Sequence, residues 1–140
     1  MDKLYFRLMP MTIQEHIQYW KKSSESDWNA ACSLLESRYI VQALFFFHLS
    51  IEKLLKANWI FDNEESFPPL THNLESLFAQ TEINLDGNQI DLLKLLTTWN
   101  IEGRYQDYRQ KLARSYTKEY VQERLPKVEE IRQCLLERLP

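Results

Sequence analysis

The sequence predicts an all-α fold, an up-and-down bundle of about five helices, and three observations carry that prediction. The stretch Tyr39–Phe61 holds no Gly or Pro and repeats apolar residues at helical spacing. Only two Gly and five Pro occur in 140 residues, which suits long helices and leaves little punctuation for an all-β chain. The composition is 44% apolar and 13% aromatic, enough to build a core and too rich for a disordered chain. At this length the expectation is one helical domain over residues 1–140, with residues 1–10 as an N-terminal arm.

That arm contains Tyr5, Phe6, Leu8 and Met9, and is expected to dock on the bundle or on a neighbouring subunit. Thr12 followed three residues later by Glu15 has the form of a capping box, in which each side chain satisfies the other's backbone N–H. Ile13, Ile17, Trp20, Trp28, Ala31, Leu34 and Leu35 then continue at helical spacing to about Ser37. Serines compete with the backbone for hydrogen bonds, so Ser23–Ser26 is the weak point of this helix. One long helix is expected; two helices broken near Ser24 are the alternative. The short turn at Ser37–Arg38 makes the next helix its antiparallel neighbour.

In that central helix Ile40, Ala43, Leu44, Phe47, Ile51, Leu54 and Phe61 share one stripe. Phe45, Phe46, Leu49 and Trp59 fall outside it, so the helix is apolar around most of its circumference. Such a helix must be surrounded, either by its own bundle or with one flank against a second subunit.

After a polar, proline-stiffened loop, Thr71-His72-Asn73-Leu74 opens a short helix ending near Gln80. Residues 81–88, with Asp86-Gly87, read as a turn-forming loop. Gln89–Trp99 is a further helix with Ile90, Leu93, Leu96 and Trp99 facing inward. Asn100–Arg109 loses that periodicity and reads as a polar, aromatic and charged link. Thr117 opens the last helix, with Tyr120, Val121, Leu125, Val128, Ile131, Leu135 and Leu136 inward and a kink expected at Pro126.

A formal charge of −3 gives no overall basic footprint and argues against tight duplex-DNA binding. Cys32 and Cys134 are isolated, lack metal-ligand spacing, and read as small buried hydrophobes in a reduced cytosol. No signal-like or membrane-spanning run occurs, so a cytoplasmic location without a membrane partner is expected. Glycine-rich phosphate loops, zinc spacings and nucleophile motifs are lacking, so neither a cofactor nor a metal site is expected.

Four groups of residues remain as candidate sites. His48 and Glu52, four apart on the central helix, could form a carboxylate-oriented imidazole, or a hydrogen-bonded pair bridging to a neighbouring helix. Lys53 and Lys56, read as lying on a different flank from His48, could hold an anionic ligand or a partner's acidic residues, or simply be solvated. Thr71 and His72 could cap a helix, or offer its N-terminus to phosphate. Arg104, Tyr105, Asp107, Tyr108 and Arg109 combine bidentate phosphate-gripping groups with rings that stack on bases, a composition also used at protein interfaces. Lys111, Arg114 and Lys118 add local positive charge beside them.

Trp20 with the following Ser/Glu/Asp-rich turn and Trp28-Asn29-Ala30-Ala31 resemble the first helix of HEPN domains, bundles shared by higher-eukaryote and prokaryote nucleotide-binding proteins. Tyr39 to His48 with Ile51-Glu52-Lys53-Leu54-Leu55-Lys56-Ala57 resembles the second helix, and Pro68-Pro69-Leu70-Thr71-His72-Asn73-Leu74 the entry to the third. Arg104-Tyr105 sits where the family often has arginine–tyrosine–proline, with Gln106 in place of the proline. The resemblance implies a bundle that commonly forms homodimers with a polar groove at the junction. Many relatives are metal-independent ribonucleases, often toxins paired with a nucleotidyltransferase-type antitoxin, and carry an arginine, four to six intervening residues, and then a histidine. Here Arg104 matches the arginine, but Arg109, Gln110 and Lys111 stand where the histidine belongs, and no histidine follows His72. The expectation is therefore a non-catalytic module binding a nucleotide, RNA or a protein partner through Arg104–Arg109. The alternative is a ribonuclease in which Arg104 holds phosphate and Tyr108 or His48 replaces the missing histidine. A purely oligomerising assembly protein is the third class.

Overall fold

Thr12 opens the first helix as its spacing predicts: its hydroxyl accepts from the Glu15 N–H at 3.1 Å while the Glu15 carboxylate accepts from the Thr12 N–H at 3.4 Å. The computed structural model describes residues 11–104 and 116–140, apart from the side chains of 101–104. The arm at residues 1–10 lies outside the described residues.

Five helices and no strand are present among the described residues: α1 Ile13–Glu36, α2 Ile40–Asn63, α3 Leu74–Ala79, α4 Gly87–Arg104 and α5 Lys118–Glu137. No described helix is long and apolar enough to cross a membrane. Helix α1 is continuous through its serines because Ser24 is absorbed into a helix crossing. The Ser24 hydroxyl donates to the Ser50 carbonyl at 2.7 Å, and the Ser50 hydroxyl donates back to the Ser24 carbonyl at 2.9 Å. These small side chains let the two backbones approach closely, and the reciprocal bonds satisfy both hydroxyls in a buried place. Arg38 takes a left-handed conformation (φ 65°) in the turn that reverses the chain into α2.

Helix α2 is the central post. Every residue from Ile40 to Ile60 is buried or half-buried. Phe47, Leu44, Ile51 and Leu54 are sealed in one core with Trp28, Leu93, Trp99 and Ile131, drawn from α1, α4 and α5. The Trp28 and Phe47 rings meet edge to face at 5.0 Å, a geometry their quadrupoles favour. A smaller cluster of Ile17, Ala57, Trp59 and Ile60 closes the far end, with Leu139 against it. There the buried side of α2 is taken by Ala57, Trp59 and Ile60, which leaves Phe61 exposed despite its place in the predicted stripe. Ile13, in the first turn of α1, is likewise exposed.

Three boundaries differ from expectation. Helix α3 begins at Leu74, capped by Asn73, whose side chain accepts from the Ser76 N–H at 2.9 Å. Thr71 instead accepts from the Asn73 N–H and does not cap. Helix α4 begins at Gly87, because Asp86 and Gln89 form a reciprocal cap at 2.8 and 3.0 Å. It also runs on through Asn100 to Arg104, a stretch expected to be a link; Trp99 and Asn100 are both buried there, and packing overrides the weak periodicity. Thr117 caps α5 as expected, and α5 continues past Pro126. Cys32 is exposed and Cys134 half-buried, so neither is the buried hydrophobe its isolation suggested. Partial burial and Glu129 push the Cys32 thiol above its ordinary value, with Arg132 opposing.

Candidate functional site

Polar residues on α2 converge with the loop before α3. His48 is fully buried, and its Nε2 lies 3.0 Å from the carbonyl of His72. A carbonyl only accepts, so Nε2 carries the proton and donates it there. Nδ1 is then a bare lone pair, and it is buried without a hydrogen-bond partner among the described residues. Burial holds the His48 pKa below the ordinary imidazole value. Glu52 and the bond to the carbonyl pull it upward, while His72 and Lys56 add to the lowering.

Glu52, also buried, does not hydrogen-bond His48; their closest approach is 3.8 Å. One carboxylate oxygen accepts from Nδ1–H of His72 at 2.8 Å, and the other meets Lys56 at 3.2 Å. Lys56 is buried rather than solvated, and its ammonium lies 5.5 Å from the centre of the Trp20 ring. A charge can remain in such a place only when paired and hydrogen-bonded. Glu52 therefore neutralises the lysine and orients an imidazole whose side chain is 47% exposed. That leaves His72, not His48, as the histidine of this cluster within reach of solvent.

Lys53 points to the other side. Its ammonium is 2.6 Å from Asp27 and donates to the Ser23 hydroxyl at 2.7 Å, bracing α2 on α1. Lys118 pairs with Glu36 at 3.1 Å. Just past His72, the Leu74 N–H donates to the Thr97 hydroxyl of α4 at 3.1 Å. Residues 72–74 thus tie α2 to α4, one turn before Asn100 and two before Arg104 along α4. The Asn100 Oδ1 and the Trp99 Nε1 are buried without partners among the described residues.

Of the residues singled out in the sequence, His48, Glu52, Lys56 and His72 form one network, while Lys53 stands apart from it. Arg104 ends α4, its side chain outside the description; Tyr105, Asp107, Tyr108 and Arg109 lie outside the described residues. Sequence spacing missed the Glu52–His72 bond, because its partners are twenty residues apart and belong to a helix and a loop. Among the described residues, no group of three or more His, Cys, Asp and Glu side chains is placed to hold a metal ion.

The family model described as "HEPN domain" matches residues 17–139. The crystal structure of TT1696 from Thermus thermophilus is similar in fold, with a TM-score of 0.74 and 20% identity. The similarity covers 88% of this chain and 98% of that one. No curated protein matches the sequence.

Proposed function

This chain belongs to the HEPN domain family, and from that premise we propose that it is a non-catalytic binding module for a nucleotide, RNA or a protein partner. The contact is through Arg104, Tyr105, Asp107 and Arg109 at and beyond the end of α4. The supporting observation is the state of His48. It is fully buried, with its one N–H spent on a backbone carbonyl, so an imidazole that could replace the missing late histidine is withdrawn from any substrate. Arginine and tyrosine in one short stretch supply phosphate grip and base stacking without bond cleavage. The module acts as a homodimer in the cytoplasm.

Fluorescence titration of the full chain with nucleotides and short RNA tests this reading. Salt-sensitive binding that Arg104→Ala abolishes supports it; saturable binding unchanged by Arg104→Ala counts against it. Light scattering after gel filtration tests the dimer, and a monomer at micromolar concentration removes that part.

One observation favours the ribonuclease alternative. His72 presents an exposed imidazole oriented by the buried Glu52, an arrangement suited to proton transfer. In that reading His72 takes the role considered for His48 and Tyr108, Arg104 holds phosphate, and a nucleotidyltransferase-type protein is the antitoxin partner. Labelled RNA incubated with excess protein separates the two. Cleavage lost in both His72→Ala and Arg104→Ala establishes the alternative, and intact RNA with the wild-type chain excludes it.

A further inference from the structure

Helices α4 and α5 diverge where Asp86–Leu95 faces Glu123–Glu130, leaving a cleft of about 470 Å³. It lies near the start of α4, at the opposite end of that helix from Arg104. None of the network residues lines it. Leu92 and Leu95 are half-buried along it and pack against the core beneath, giving it an apolar floor.

Its walls carry Asp86 and Asp91 on one side, and Glu123 and Glu130 on the other. Two cations also line it. Lys127 is 3.6 Å from Glu130, so those two charges offset each other. Arg124 is folded back on its own helix, its guanidinium 3.4 Å from the Tyr120 ring centre and bonded to the Tyr120 carbonyl at 3.0 Å. On the other wall Lys94 lies 3.9 Å from Asp91 and partly offsets it, so four carboxylates against Arg124, Lys127 and this neighbouring lysine leave the rim acidic by one charge. An apolar floor between acidic walls fits a helix with an apolar ridge flanked by lysine or arginine, and repels nucleic acid. Asp86 to Leu95 spans about 14 Å at the helical rise, room for two to three turns of such a helix.

We propose that this cleft is a docking groove for a cationic amphipathic helix of a partner protein. It is separate from the contact assigned to Arg104–Arg109 and does not depend on it.

The test uses the full chain and a fluorescein-labelled synthetic peptide of about four helical turns, with leucine at i, i+3, i+4 and i+7 spacing and lysine elsewhere. Anisotropy is read at low and high salt. Wild type is expected to bind and to weaken with salt. Asp91→Lys with Glu123→Lys weakens binding about tenfold or more, whereas Glu25→Lys with Glu137→Lys, the same charge change on sites elsewhere, alters it less than about twofold. The milder pair Asp91→Asn with Glu123→Gln gives an intermediate loss and serves if the reversal pair melts early by circular dichroism. Equal weakening by the groove and control pairs overturns the proposal, as does equal binding of a glutamate version of the peptide. So does an absence of binding at low salt. An oligomer that the Asp91/Glu123 pair converts to monomer also overturns it, since the occupant is then a second copy of the chain.

Discussion

Glu52 and His72 are joined by a 2.8 Å hydrogen bond that fastens the loop before α3 to the central helix. The same carboxylate pairs with the buried Lys56 at 3.2 Å. Removing it leaves an uncompensated buried ammonium, so Glu52→Ala is expected to destabilise the chain by about 3–5 kcal/mol. Glu52→Gln with Lys56→Met removes both charges and recovers a large part of that loss. Urea unfolding of the two variants and wild type is the measurement, and a mild Glu52→Ala would show that Lys56 escapes to water.

The low pKa of His48 has a consequence for stability. The folded state resists protonating this ring because the ring is buried and Nδ1 has no partner among the described residues, while the unfolded chain binds a proton near the ordinary value of 6.5. Below that value the unfolded state therefore holds more protons, and stability falls as pH drops toward the depressed folded value. The contribution is complete above 6.5. Thermal melts from neutral to mildly acidic pH are expected to decline less steeply in His48→Gln, whose side-chain amide can still donate to the His72 carbonyl. Parallel pH profiles for the two proteins would refute this origin of the slope.

Ser24 and Ser50 bond reciprocally across the α1–α2 crossing. Ser24→Ala is expected to cost about 1–2 kcal/mol, because the Ser50 hydroxyl loses a neighbour at a buried place. A double-mutant cycle with Ser50→Ala should return a coupling of at least about 0.5 kcal/mol. Additive losses would mean the two hydroxyls act independently. Ser24→Val is expected to be worse than Ala, since its added methyls meet the facing backbone.

Arg138 reaches back from the end of α5 to grip Asp62 with both guanidinium nitrogens, at 2.8 and 3.0 Å, and also donates to Asn58 at 2.7 Å. Asp62 in turn accepts from the Glu82 N–H at 2.8 Å. Arg138→Ala should destabilise by about 2–3 kcal/mol, with Arg138→Lys recovering less than half, because an ammonium lacks the planar fork. Guanidinium unfolding measures both, and full rescue by lysine would contradict the geometry.

Local physics made much of the framework readable. The Thr12–Glu15 capping box, the Thr117 cap and the long apolar run of α2 depend on residues within a few positions of one another, and each lies where its pattern predicts. The extent of α4 was harder to read. Asn100 and Gly103 look like a link in sequence, yet burial of Trp99 and Asn100 carries the helix to Arg104. The cluster on α2 was half legible: four-residue spacing set His48 beside Glu52, but could not show that each bonds His72 rather than the other.

By itself, the sequence determined the all-α class, the order of the helices and the need to enclose α2, because periodicity and capping are properties of neighbouring residues. Only the tertiary structure decided that Lys56 is buried, that His48 is sealed and that His72 is the histidine of its cluster left to solvent. Those outcomes depend on which distant groups meet across helix and loop, and the free energy of a buried charge or imidazole is set by those partners, not by its place in the chain.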